Sequence, residues 1–396
     1  MAQNSSRPVG RHFLHIPGPT PVPDRVLRAM DTPIIDHRGP EFAKMAKKAL
    51  EGIKTIFKTT NPVIIYTATG TGAWEGALVN TLSPGDKVLM VETGQFATLW
   101  KKMAEKLGVK PEFITSDWRN GADPKAVEAR LREDKSKEIK AVCVLHNETS
   151  TGALTPIAEI RKAIDAAGHP ALLMVDTISS LASADYRHDE WGVDVSVGGA
   201  QKGLMLPPGM SFNAISDKAI AANKNAKLPK SFFAWDEMLT MNKVGFFPYT
   251  PATQMLHGLN EGIAMLHEEG LDNVFARHER LAEATRRAVK AWGLENLNKN
   301  ASQYSPTLTA VLLPEGNDAD KFRALALETF NISYGASFGA YAGKYFRIGH
   351  LGDTNDLTII GALAATEMSL ALANIPHKKG GVQAAMDYLR DTSRTA

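Results

Sequence analysis

Residues 171–176 read ALLMVD and residues 193–203 read VDVSVGGAQKG. The first is an apolar run of strand length that ends in Asp176. The second is another strand-like run, and it ends with Lys202 set among small residues. Outward from this pair the same pattern recurs. VIIYTA (63–68), KVLMVE (87–92), PEFITSD (111–117), AVCVLH (141–146) and MSFNAIS (210–216) predict further strands. Helical segments fall between them: TGTGAWEGALVNTL (69–82), FATLWKKMAEKLG (96–108), DPKAVEARLRED (123–134) and AEIRKAIDAAG (158–168). Strands alternating with helices predict an α/β fold, with a large domain built on a mostly parallel seven-stranded sheet covered by helices.

The ends of the chain differ from this middle. Pro17, Pro19, Pro21 and Pro23 keep residues 1–23 out of regular structure, so they read as an extended arm. Short and longer helices follow, in DRVLRAMDT (24–32) and FAKMAKKALEGIKTIFKT (42–59). Residues 220–260 read as irregular and aromatic, and two long helices follow at 253–270 and 272–293. Beyond them TLTAVLLP (307–314), KFRALALETF (321–330), ISYGAS (332–337), YFRIGH (345–350) and a closing helix at 356–374 predict a small C-terminal α+β domain. The expected division is an arm over 1–23, a large domain over 24–275 and a small domain over 276–396.

Composition narrows the partners. The net charge is only +2, which leaves no electrostatic footprint for nucleic acid or an anionic membrane. Cys143 is the single cysteine, so no intrachain disulfide forms, and a reducing compartment is compatible. The first residues, MAQNSSRPVGRHF, lack the apolar stretch of a signal peptide, no run is apolar enough to span a bilayer, and the last residues carry no targeting tripeptide. The expected location is the cytoplasm.

The residues that bear chemistry gather at strand ends. A lysine amine that can form a Schiff base, together with a carboxylate to pair with a pyridine nitrogen, is what pyridoxal phosphate requires of a protein. Lys202 and Asp176 can supply both. TATGTG (67–72) lies between a strand and a helix, where glycines and free helix N–H groups make a phosphate cradle. It lacks the Gly-Lys-Ser/Thr of a nucleotide loop and the third glycine of a dinucleotide loop. HNETSTG (146–152) follows a strand directly and offers Thr149 to a phenolic oxygen. Phe96, after another strand end, can stack on a flat ring. Arg347 stands among apolar neighbours, where burial favours an anionic partner, and a guanidinium suits a carboxylate. Trp74 and Glu75 read as packing and surface. The histidines show no metal-ligand spacing, so no metal is expected. Taken singly, each feature also has a structural explanation: a surface lysine in a turn, a capping aspartate, a glycine needed for packing, a core phenylalanine.

Assembled, the chain resembles the fold-type I pyridoxal phosphate enzymes of the class V aminotransferase group, in their serine–glyoxylate and alanine–glyoxylate branch. The resemblance rests on IPGPTPVP (16–23), GTGAWEGALVNTLSPGD (70–86), HNETSTG (146–152), LLMVDTISSL (172–181), DEWGVDVSVGGAQKG (189–203) and FRIGHLG (346–352), in family order. It implies that Lys202 carries the cofactor and exchanges protons, that Asp176 pairs with the ring nitrogen and that Thr149 meets the ring hydroxyl. It places Phe96 on the ring face and Thr69, Gly70, Thr71 and Gln201 around the phosphate. Tyr249 and Thr250, in FPYTPAT (247–253), match a segment that reaches the phosphate of the neighbouring subunit. Arg347 matches the arginine that binds the substrate carboxylate. The arm around Ile16–Pro23 is expected to line the substrate entrance.

The implied assembly is a homodimer with shared active sites, or a dimer of such dimers. The implied reaction is ping-pong transfer of the amino group of L-serine to glyoxylate, with aspartate and alanine as alternative donors. Phe96 and Thr71 depart from the animal alanine–glyoxylate pattern, where tryptophan and histidine are usual. Rival readings are a desulfurase using Cys143, a nicotinamide oxidoreductase using the TGTG loop, and a non-catalytic cofactor scaffold.

Overall fold

The computed structural model describes residues 10–393. Residues 1–9 of the expected arm and 394–396 of the expected small domain lie outside the described residues.

The main sheet has seven strands in the spatial order Val63–Tyr66, Ser211–Ile215, Val195–Gly199, Leu172–Asp176, Ile139–Leu145, Lys87–Val91, Lys110–Ile114. Six run one way, and only Ser211–Ile215 runs against its neighbours. Leu172–Asp176 and Val195–Gly199 are buried at every position, as strands covered by helices on both faces must be. Their register sets Leu145 beside Asp176 and Asp176 beside Val197, so two carboxyl ends finish level and the third strand runs two residues further. From Lys87–Val91 the chain passes first to the edge strand Lys110–Ile114 and then returns to the other side, to Ile139–Leu145. A crevice opens at such a reversal, outside the carboxyl ends of the strands.

Helix Pro40–Phe57 shows how the covering layer forms. Pro40 occupies its first position, where a missing N–H costs nothing, and Lys58 ends it in the left-handed conformation. Phe42, Ala46, Ala49, Ile53 and Phe57 form its buried face, at helical spacing. Each large side chain buried this way stabilises the fold by about 1.5–3 kcal/mol.

The C-terminal part carries a three-stranded antiparallel sheet, Glu295–Asn296, Leu308–Leu312 and Tyr345–Gly349. Helices Ala319–Phe330, Asp356–Leu372 and Gly381–Asp391 pack with it. Helix Leu271–Trp292 runs unbroken through residue 275: Val274 belongs to the core around the main sheet and Leu281 to the core of the small part. Among the described residues no helix is long and apolar enough to cross a membrane.

Three elements differ from the sequence expectation. Residues 220–260 are not irregular throughout: Asp217–Asn223 and Trp235–Asn242 are helices. The second is fixed by tertiary contacts, since Asn80 Oδ1 accepts from the Trp235 amide at 3.0 Å and Trp235 Nε1 donates to the Tyr66 hydroxyl at 2.7 Å. The arm contains a strand, Phe13–His15, which pairs in parallel with Ile332–Tyr334. Its partner is more than 300 residues away, and no local pattern announces such a pairing. The helix at 356–374 is not the last, because Gly381–Asp391 follows it and packs on Leu271–Trp292.

Candidate active site

Lys202 stands on the turn that leaves the strand Val195–Gly199. Its side chain is 8 % exposed, and Nζ donates to the Pro17 carbonyl. The arm is held there at two further points: the Thr20 amide donates to the Gln201 carbonyl at 3.1 Å and Thr20 Oγ1 to the Lys202 carbonyl at 3.1 Å. Gly18 touches the lysine side chain, and a Cβ at that position would collide with it. Burial lowers the Lys202 pKa to about 7; the Arg347 charge pushes the same way and Asp176 opposes it.

Asp176 closes the neighbouring strand and is 3 % exposed. Oδ1 accepts from the Ile178 amide at 2.6 Å and Oδ2 from Trp74 Nε1 at 2.8 Å. Burial outweighs both bonds and raises its pKa to about 7, with the Glu148 charge adding to the rise. Burial thus moves the lysine down and the acid up into the same pH region, and each charge only partly offsets the shift of the other.

Thr69 is the N-cap of helix Gly70–Val79, and its side chain makes no capping bond. Thr69 and Thr71 are exposed, whereas Gly70 is buried against Ile178, where a Cβ would collide. Ile178 also lies 3.3 Å from where a Cβ on Gly199 would sit, and Gln201 Oε1 at 3.1 Å from the same point. That oxygen is buried and has no hydrogen-bond partner among the described residues. The helix start, the Asp176 turn and the Lys202 turn therefore meet in one place.

A second group forms the opposite wall. Arg347 is 7 % exposed; Nε donates to the Ala336 carbonyl at 2.7 Å and one terminal nitrogen to the Thr149 carbonyl at 2.8 Å. Among the described residues it has no carboxylate within ion-pair distance. Burial lowers its pKa to about 10, against the pull of Tyr345 and Glu148, so it stays cationic at neutral pH. Its guanidinium lies 4.8 Å from the centre of the Phe338 ring, which meets Phe96 edge-on at 6.0 Å. The Thr149 hydroxyl donates to Ser179 Oγ at 2.8 Å.

Contacts and adjacent strand ends thus bring together seven of the eleven expected residues, Gly70, Phe96, Thr149, Asp176, Gln201, Lys202 and Arg347, while Thr69 and Thr71 flank Gly70 in the chain with their side chains exposed. Tyr249 and Thr250 do not join them by any hydrogen bond among the described residues. Tyr249 stacks on Phe232 at 4.2 Å with its hydroxyl buried and unpartnered, and Thr250 is exposed.

Sequence reasoning missed Trp74, Phe338 and Glu148; it placed the arm around Ile16–Pro23 at the site but not the bond from Lys202 Nζ to the Pro17 carbonyl. Its helical position gives Trp74 a packing role, yet Trp74 also holds Asp176. The available signal was its single N–H, which needs an acceptor once buried. Cys143 is fully buried inside its strand and burial raises its thiol pKa, so it cannot serve as a mobile nucleophile. His146 bonds Ser180 Oγ at 2.9 Å, and burial lowers its pKa to about 4, which marks a structural role.

The family model for class V aminotransferases matches residues 12–350. The chain belongs to the class V aminotransferases. It is 48% identical over 394 residues to a serine–glyoxylate aminotransferase of Methylorubrum extorquens, covering 98% of each chain. It is 45% identical to an L-aspartate–glyoxylate aminotransferase of Paracoccus denitrificans, covering 97% of each. The crystal structure of pyridoxamine–pyruvate aminotransferase from Mesorhizobium loti superposes with a TM-score of 0.90 at 27% identity, covering 99% of this chain and 100% of that one. The aminotransferases of this family depend on pyridoxal phosphate.

The crevice fits that cofactor on its own features. It holds a buried carboxylate with no cation in ion-pair contact among the described residues, a lysine whose proton is easily lost, and a helix N-terminus whose free N–H groups suit a phosphate.

Proposed function

We propose that this crevice transfers the amino group of L-serine to glyoxylate, giving hydroxypyruvate and glycine. The carrying observation is the arrangement of Lys202, Asp176 and Arg347: a titratable amine and acid on the floor, and an unpaired buried cation on the wall. The serine–glyoxylate relative, similar along 98% of both chains, supports the choice of substrates.

Bound pyridoxal phosphate supplies an aldehyde that takes up an amino group and an electron-poor ring that stabilises negative charge at the substrate α-carbon. Lys202 Nζ, neutral for much of its time near pH 7, is both the nucleophile that anchors the cofactor and the base that lifts and returns the α-proton. Asp176, oriented by Trp74 and Ile178, would pair with the ring nitrogen and keep it protonated. Thr149 would meet the ring hydroxyl, Phe96 would lie on the ring face, and Thr69, Gly70, Thr71 and Gln201 would surround the phosphate. Arg347 grips the carboxylate of donor and acceptor alike. The arm, pinned to Lys202 through Pro17 and Thr20, keeps water from the amine.

Two copies of the chain make two such sites. The unpartnered Tyr249 hydroxyl and exposed Thr250 fit a segment that completes the phosphate site of a second copy.

The aspartate relative keeps a second donor in view. Serine needs one cation for one carboxylate, whereas aspartate needs another for its side chain. The test is the visible spectrum of cofactor-loaded protein after L-serine or L-aspartate is added without acceptor. Rapid conversion to the amine form by serine is expected. Conversion by aspartate alone would reassign the donor, and conversion by neither would reject this reading.

A further inference from the structure

Glu148 is a charged residue that the mechanism above does not use, although it adjoins Thr149. It is wholly buried, and among the described residues no lysine or arginine forms an ion pair with it. Its partners are four donors. Oε1 accepts from Ser150 Oγ at 2.6 Å, the Ser150 amide at 3.0 Å and the Phe96 amide at 3.3 Å; Oε2 accepts from the Ala97 amide at 3.2 Å. Ser150 Oγ in turn accepts from the Gln95 amide at 2.9 Å.

Gln95, Phe96 and Ala97 open helix Gln95–Lys106. The N-cap of that helix, Gly94, has no side chain with which to cap it. Glu148 and Ser150 therefore satisfy the first amides from another strand end, where the positive end of the helix also favours an anion. Gly94 makes the room, because a Cβ there would lie 2.7 Å from the carboxyl carbon of Glu148. The same short segment is gripped from the small sheet: the Tyr345 hydroxyl donates to the Ser150 carbonyl at 2.8 Å and Arg347 to the Thr149 carbonyl at 2.8 Å.

Residues 148–150 thus join the helix start that carries Phe96 to the strand that carries Arg347. We propose that Glu148 is a positioning residue for the reaction: it fixes Phe96 against the cofactor ring, holds the Thr149 segment against Arg347, and supplies a buried negative charge beside Asp176. This rests on the crevice being the cofactor site. A carboxylate is required, since all four neighbours donate to it, and an amide would turn an NH2 group toward a donor.

The test compares wild-type, Glu148→Gln and Ser150→Ala proteins loaded with pyridoxal phosphate. Two quantities are read besides turnover: the cofactor dissociation constant, and the pH at which the visible band of the lysine-bound cofactor loses its proton. Glu148→Gln is expected to bind the cofactor about tenfold more weakly, because buried donors lose their acceptor. Its band should deprotonate at lower pH, because a buried negative charge has been removed. Ser150→Ala keeps the charge but removes one donor to Glu148 and frees the Gln95 amide, so its affinity should fall less than that of Glu148→Gln and its band should stay nearer wild type. Wild-type affinity and wild-type pH profile in Glu148→Gln would overturn the proposal. If Glu148→Gln does not fold, Ser150→Ala decides: weaker cofactor binding supports the role and unchanged binding removes it. Failure of the wild-type protein to bind pyridoxal phosphate would instead reject the cofactor site itself.

Discussion

The floor of the crevice and its small-sheet wall each bury one cation, and burial acts on the two very differently. Lys202 on the floor is lowered to about 7, so near neutral pH its amine gives up and regains a proton readily. Arg347 on the wall is lowered only to about 10 and keeps its charge. The ordinary values of the two groups differ before burial begins, and the guanidinium spreads its charge over a plane that tolerates a drier site. The surroundings sharpen the contrast. Lys202 faces a carboxylate that is itself raised to about 7 and so offers only part of a charge. Arg347 is propped by two carbonyls and an aromatic face, with its remaining donors open to an incoming anion. A movable proton on one side and a fixed charge on the other is the division of labour that transamination of carboxylate-bearing substrates demands.

The largest break in this comparison is Lys202→Ala. Without the nucleophile and base, turnover should fall by about 10⁴-fold or more in a coupled serine–glyoxylate assay. Substantial activity in that variant would move the chemistry elsewhere. Next is Arg347→Ala, which should raise KM for serine and glyoxylate together by about a hundredfold while kcat falls less, since a charge-assisted bidentate grip is lost. A change confined to one substrate would contradict a shared carboxylate site. Arg347→Ala should also raise the Lys202 pKa, because the arginine charge is one cause of its lowering.

The proton itself can be followed. In cofactor-free protein, capture of pyridoxal phosphate by Lys202 should climb about tenfold per pH unit below pH 7 and level off above it, because only the neutral amine attacks. A lysine with its ordinary pKa would keep climbing beyond pH 9. The smallest expected effect is that of Trp74→Phe. Losing one bond to Asp176 should weaken cofactor binding by about fivefold and move the Asp176 pKa further up, since that bond lowers it. Equilibrium dialysis would detect the change, and unchanged affinity would reduce Trp74 to packing.

The floor was far more legible in the sequence than the wall. Asp176 ends one strand and Lys202 stands on the turn just after the next, and a parallel topology carries residues at strand ends to a common crevice whatever the details. The helix start at Thr69–Thr71 was readable for the same reason, as a strand-to-helix turn. Arg347 could be suspected from its apolar neighbours, but Phe338, which links it to Phe96, lies in an irregular segment with no periodic signal. The Pro17 carbonyl on Lys202 depends on a contact across 185 residues, and the arm strand on one between Phe13–His15 and Ile332–Tyr334. The position of Trp74 in a helix gives its packing face and not its hydrogen-bond acceptor, Asp176.

The most direct test of the crevice as the cofactor site is borohydride reduction of the pyridoxal phosphate-loaded protein, followed by mass mapping of the labelled peptide. The account predicts a single phosphopyridoxyl group on Lys202, absent when the protein is first converted with L-serine. A label on another lysine, or none on Lys202, would contradict it.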